Sequence, residues 1–207
     1  MCFSAPASFI ASGGLTVLGG ASLMTAKKKN KILAAIPLLF AVQQAFEGIQ
    51  WLYLNMGSTS LLAGYGFLFF AFIVWPIFAP TSIFILDKKR RRILGCFIFL
   101  GTAVAVYFIF VLLTQSLAID ELRRCVSYTF NIPFGNFAGV VYLLAIFGPL
   151  LVSSHRIFIW FGVVTVILAI ISWLFFSFAF ISVWCFFAAI ISSMFFVYIR
   201  SKQSTLM

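Results

Sequence analysis

The chain has 207 residues, 64% of them hydrophobic and only 9% charged, with a net charge of +10. A soluble domain carries roughly a quarter charged residues, so a soluble fold is excluded and nothing remains from which to build a second, soluble domain. The basic residues lie in short clusters between apolar runs and not on an aromatic-interleaved surface, which argues against a nucleic-acid partner.

Seven apolar runs stand near the ~20 residues that a helix needs to cross a bilayer. They cover residues 7–25, 32–54, 61–86, 93–115, 137–153, 157–176 and 178–199. Each is continuously apolar with no period-two alternation, so helices and not a barrel are expected. The predicted fold is all-α, with residues 1–207 forming one integral membrane bundle of seven transmembrane helices. The last two runs have almost nothing between them, so they are expected to pack as an antiparallel pair.

The first run has Ser8, Ser12, Thr16 and Gly20 at every fourth position, with Gly13, Gly14 and Gly19 adding to them, a small-residue face that lets helix backbones approach closely. Its positive charges follow the apolar stretch and do not precede it, so a reversed anchor is expected and not a cleaved signal peptide. The second run carries Gln43, Gln44, Glu47, Gln50 and Trp51, and Glu47 is the only acid within any of the seven runs. In the third run Trp75-Pro76 and then Pro80 each remove a backbone donor and crowd the preceding turn, so a kink is expected there. Residues 116–136 form the one substantial loop, with Asp120, Glu121, Arg123, Arg124, Cys125 and Tyr128. Ser182, Cys185, Ala189 and Ser192 of the seventh run share a small, mildly polar face expected to point into the bundle.

Charge sets the expected threading. Lys27, Lys28, Lys29 and Lys31 follow the first run, and Lys88, Lys89, Arg90, Arg91 and Arg92 follow the third. Arg156 follows the fifth, and Arg200 and Lys202 follow the seventh. With seven spans, twelve of the 14 basic residues fall on one side. The positive-inside rule then places the N-terminus outside and the C-terminus in the cytoplasm. The same clusters would contact anionic membrane lipids.

A carboxylate in hydrocarbon is costly unless it finds a partner or faces water, so an intramembrane acid is a candidate functional residue. The spacings 43–47–50 and 44–47–51 converge on Glu47. In the expected threading, Ser182 and Cys185 lie at the same outer depth. A ligand-binding set of Glu47, Gln43, Gln44, Trp51, Ser182 and Cys185 follows. A carboxyl flanked by amides suits a cation or amine, and equally a proton relay; a bonded Glu that only holds the bundle together is the structural alternative.

Cys2 and Cys125 both fall on the outer side, where a disulfide between them is an expectation. Cys96 and Cys185 read most simply as small apolar residues. His155 is the one histidine, at a membrane boundary, so multi-histidine zinc sites and haem pairs are excluded. No lysine lies within a run, which excludes a retinal Schiff base. No metal and no cofactor is expected.

Met1-Cys2-Phe3-Ser4-Ala5, Ala34 to Phe40, the Gln43-Gln44, Glu47-Gly48 and Trp51 stretch, and Ser182 to Ala189 together resemble a bacterial family of polytopic membrane proteins that begin MCFSA and carry a domain of unknown function. The resemblance implies a multi-pass protein of the bacterial cytoplasmic membrane and draws attention to Cys2, Glu47, Trp51 and Cys185, without assigning them a role. The favoured function is binding or transport of a small cation, amine or amphiphile in an outward-facing pocket around Glu47. A thiol-dependent membrane enzyme using Cys2, Cys125 or Cys185 is an alternative, as is an accessory subunit whose aromatic faces pack on another membrane protein.

Overall fold

A computed structural model describes residues 4–204. Its helices are α1 (Ala5–Thr25), α2 (Lys31–Asn55), α3 (Leu61–Phe69), α4 (Trp75–Leu86), α5 (Arg91–Thr114), α6 (Gly135–Val152), α7 (Arg156–Phe176), α8 (Phe180–Ser192) and α9 (Met194–Ser204). Two strands, β1 (Ala118–Leu122) and β2 (Cys125–Thr129), pair antiparallel between α5 and α6.

Six helical stretches are long and apolar enough to cross a membrane, which fits a multi-pass membrane protein. Their outward faces are strongly apolar, with Phe99, Leu113, Trp160, Trp173 and Phe175 all exposed. The last stretch, Arg156–Ile199, has 44 residues. A straight helix of that length would run about 66 Å, some twice the hydrocarbon core. It does not run straight. Phe161 near its start meets Phe195 near its end, with ring centroids 4.7 Å apart. The chain therefore reverses at the short 3₁₀ turn Ser177–Ala179, and α7 lies against α8 and α9.

The packing gathers the connections at two ends. Asp87, after α4, bonds to Ser153 and Ser154 between α6 and α7, and the Arg90 guanidinium donates to the Val152 carbonyl at 2.7 Å. This is the basic end. At the opposite end Ser127 of β2 donates to the Phe178 carbonyl in the α7–α8 turn at 2.7 Å. Ile119 of β1 lies where a Cβ on Gly64 of α3 would have to go. The hairpin thus sits over the openings of α3 and the α7–α8 turn.

That hairpin is a correction to the expected loop. Its two-residue turn is Arg123-Arg124, with φ of 51° and 60°. A tight hairpin turn of this kind needs left-handed backbone at both central positions, normally met by Asn or Gly. The arginines adopt it here, and Arg123 lies over the Phe178 ring at 5.5 Å. β2 is the inner strand, with Cys125, Val126, Ser127 and Tyr128 all buried.

The kink expected near Pro76 takes a definite form. Residues Phe70–Val74 widen into a π turn between α3 and α4, and the Trp75 amide donates back to Phe70. Pro76 has no amide hydrogen to offer the Ala71 carbonyl. The Tyr142 hydroxyl of α6 donates to that carbonyl at 2.7 Å. One turn on, α4 and α5 approach so closely that a Cβ on Gly101 would lie 1.8 Å from the Pro76 carbonyl oxygen.

Of the expected small residues of α1, Ser8 and Gly19 are buried and the Ser12 hydroxyl donates to the Ala41 carbonyl of α2 at 2.7 Å. Leu15 and Ser22 are buried as well, and Thr16 is exposed. Leu38 of α2 packs onto Gly19 and Phe9 packs onto Gly48, so the closest approach selects Gly19 over Gly20.

Candidate functional site

Glu47 stands eight residues before the end of α2, about 12 Å below the hairpin end. Gln43, Gln44, Glu47 and Gln50 have no exposed surface at all. Four fully buried polar side chains on one helix are far more than core packing needs, because each lost hydrogen bond costs about 1–3 kcal/mol.

Ser182 of α8 donates its hydroxyl to Glu47 Oε1. Gln44 donates to Glu47 Oε2 at 3.3 Å. The Ser182 contact joins α2 to α8 across the bundle, while the Gln44 contact is made within α2. One turn deeper, the Trp75 indole donates to Gln43 Oε1 at 2.7 Å, and Phe40 stacks on Trp75 at 3.9 Å. Gln43 lies beside the Cys185 thiol. The small face of α8 does point inward, with Ser182, Cys185, Ala189 and Ser192 all buried.

Several buried polar atoms near Glu47 have no hydrogen-bond partner among the described residues. They are Gln43 Nε2, Gln44 Oε1, both amide atoms of Gln50, the Trp51 indole nitrogen, the Tyr128 hydroxyl and the Trp184 indole nitrogen. Apart from Tyr128 and Trp184, all belong to one face region of α2.

Tyr128 is the site residue that sequence reasoning missed. β2 points it down into the bundle, where its ring stacks on Phe67 at 5.1 Å and it interacts electrostatically with Glu47 and Cys185. Burial first, and then those two groups, hold its phenol well above the ordinary tyrosine value. Tyr128 is therefore a neutral hydroxyl that both donates and accepts. The signal was the β-rich run Cys125 to Phe130, masked by a turn that lacks Gly, Asn and Pro.

Beside this cluster a groove opens between α6 and α7, with a cavity volume of about 830 Å³. The two helices are tight at the basic end, where Leu150 packs on Gly162, and splayed towards the hairpin. Val140, Leu143, Val166, Ala169, Ile170 and Trp173 form the walls. Tyr128, Ser182 and Trp184 line its inner side. A second, apolar cavity of about 70 Å³ lies deeper, lined by Phe40, Trp75 and Cys185. Tyr142 and Trp184 line both and stand as the wall between them, ring centroids 6.1 Å apart.

The expected residues Gln43, Gln44, Glu47, Ser182 and Cys185 thus meet in one cluster. Trp51 is buried on the same helix, with its indole nitrogen unpartnered. Cys96 is exposed on α5, away from the cluster. Cys125 is buried against Ala179 and Val183. Cys2 lies outside the described residues, so its expected pairing with Cys125 does too. Among the described residues no three His, Cys, Asp or Glu side chains gather as a metal site would require.

Neither the curated proteins nor the solved structures contain a match to this chain. The model of a family of unknown function, DUF6629, matches residues 1–207, and the chain belongs to that family.

Proposed function

We propose that the protein is a multi-pass protein of the bacterial cytoplasmic membrane that binds a small cation, amine or amphiphile at Glu47, in the outer half of the bundle. The observation that carries this is the buried carboxyl of Glu47, held by only two side chains and surrounded by unpartnered polar atoms. A structural acid would saturate its neighbours; a binding acid leaves donors and acceptors for a ligand. The wall formed by Tyr142 and Trp184 favours binding over conduction through the bundle.

The reading takes the reversal within Arg156–Ile199 as two spans, which makes seven in all. The N-terminus is then outside and the basic end cytoplasmic. On that side of the membrane a Cys2–Cys125 disulfide would tie the start of α1 to the inner strand of the hairpin. Accessible cysteine labelling from each side tests the threading, and non-reducing peptide mass spectrometry tests the bond.

The binding reading is tested by extracting wild-type protein and Glu47→Gln from membranes and identifying bound small molecules by native mass spectrometry. A bound species present on wild type and lost from a folded Glu47→Gln protein is the expected result. The same bound species on both proteins overturns the reading.

A further inference from the structure

A free ion would need neither a wide apolar groove nor an opening to the side of the bundle. The groove between α6 and α7 has both. Its walls are apolar, and Val140, Ile170 and Trp173 remain exposed along its rims, facing where lipid lies. Its volume of about 830 Å³ is in the upper range of ligand sites, roughly 300–1,000 Å³.

The inner end of the groove is chemically different. Tyr128 is 8% exposed and Trp184 5% exposed, and both line the groove while carrying buried polar hydrogens that lack a partner among the described residues. Ser182, also on this inner side, hands on to the Glu47 carboxyl by its hydrogen bond. The apolar slot therefore ends against two buried, unpartnered donors and against Ser182, whose hydroxyl separates it from the acid. No basic residue of the chain lies within α2 beyond its first residue, or within α8, to neutralise that acid.

We infer that the groove admits one membrane lipid sideways from the bilayer, its acyl chain between α6 and α7, an oxygen of its headgroup at Tyr128 and Trp184, and an amine of the same headgroup directed to Glu47. The ligand class is an amine-bearing lipid. Complementarity decides the headgroup, because a carboxyl with acceptor oxygens on Ser182 and Gln44 around it suits an ammonium, while neither α8 nor α2 beyond its first residue offers an anionic head a basic side chain. The inference rests on the reading of Glu47 as the ligand site and adds the route and the chain.

Gly139 supplies the test. It lines the groove, and a Cβ built on it meets nothing within 4 Å. Gly139→Trp should therefore fill the slot without forcing a clash, leaving Glu47 untouched. Full-length protein in detergent is titrated with dioleoyl phosphatidylethanolamine, with dioleoyl phosphatidylglycerol, and with soluble ethanolamine, reading bound species by native mass spectrometry.

Wild type is expected to favour the amine lipid over the anionic one by about tenfold. Gly139→Trp should lower amine-lipid binding by about the same factor, and Glu47→Gln should erase the preference between the lipids. A photoactivatable diazirine in the acyl chain of the amine lipid should label α6 and α7 of the wild type, a readout that needs no variant. Equal amine-lipid binding by wild type and Gly139→Trp, or labelling confined to other helices, overturns the groove. Ethanolamine binding that needs Glu47, with no preference between the two lipids, overturns the lipid and leaves the Glu47 site standing. Identical lipid preference in wild type and Glu47→Gln overturns both.

Discussion

Two acids in this chain are fully buried, and they are treated in opposite ways. Asp87, at the basic end, accepts from the hydroxyls of Ser153 at 3.0 Å and Ser154 at 2.7 Å. It also accepts from the Ser154 amide and from the amides of Lys89 and Arg90. Both its oxygens are saturated by donors from two separate connections, so it clamps the α4–α5 turn to the α6–α7 turn. Glu47 has two side-chain partners, while amides and indoles near it go unbonded. A clamp and a receptor differ in whether the surrounding polar groups are used up, not in whether the acid is buried.

The largest expected effect separates the two roles outright. Asp87→Ala leaves five donors facing nothing, and should cost about 3 kcal/mol or more of stability. It should leave binding at Glu47 intact in whatever fraction stays folded. Thermal unfolding in detergent, paired with native mass spectrometry, reads both quantities. A stable Asp87→Ala protein would remove the distinction.

Next in size is the pH response of the clamp. Burial alone would raise the Asp87 carboxyl, but the Ser154, Ser153 and Arg90 hydrogen bonds outweigh it and hold it at about 2, below the ordinary 3.8. A depressed carboxyl contributes stability above its unfolded value, and loses it as pH falls through the folded value. Wild type should therefore lose stability between about pH 4 and pH 2, and Asp87→Asn should lose less across that window. Parallel curves for the two proteins would assign the acid sensitivity elsewhere.

Smaller effects are expected on the receptor side. Tyr142→Phe strips the hydroxyl from the Ala71 carbonyl, which Pro76 leaves without an amide, and should cost about 1–2 kcal/mol. Glu47→Gln keeps the shape of the side chain and an acceptor for Ser182. Its cost in stability should be the smallest, below about 1 kcal/mol, while the ligand is lost. Unfolding of Glu47→Gln as severe as that of Asp87→Ala would make Glu47 a second clamp.

Much of this was legible in the residue order. Glu47 and its amide neighbours stood out because ionisable groups in an apolar run are expensive, and the inward face of Ser182 and Cys185 followed from helical spacing. Tyr128 was not legible. Its place depends on a hairpin whose turn is made by Arg123 and Arg124, residues that no turn rule favours. The role of Asp87 was hidden for another reason: its partners Ser153 and Ser154 are more than sixty residues away.

The sequence by itself determined the class of the protein. Long apolar runs can satisfy their backbone in lipid only as helices, and clusters of lysine and arginine mark one end, because both are properties of local composition. Only the tertiary structure decided which buried acid is saturated, how Pro76 turns a missing amide into a tyrosine contact, and that α6 and α7 splay into a groove reaching Ser182, the partner of Glu47. Those outcomes depend on close approaches such as Gly101 on Pro76 and Gly162 on Leu150, where atoms distant in the chain compete for the same space.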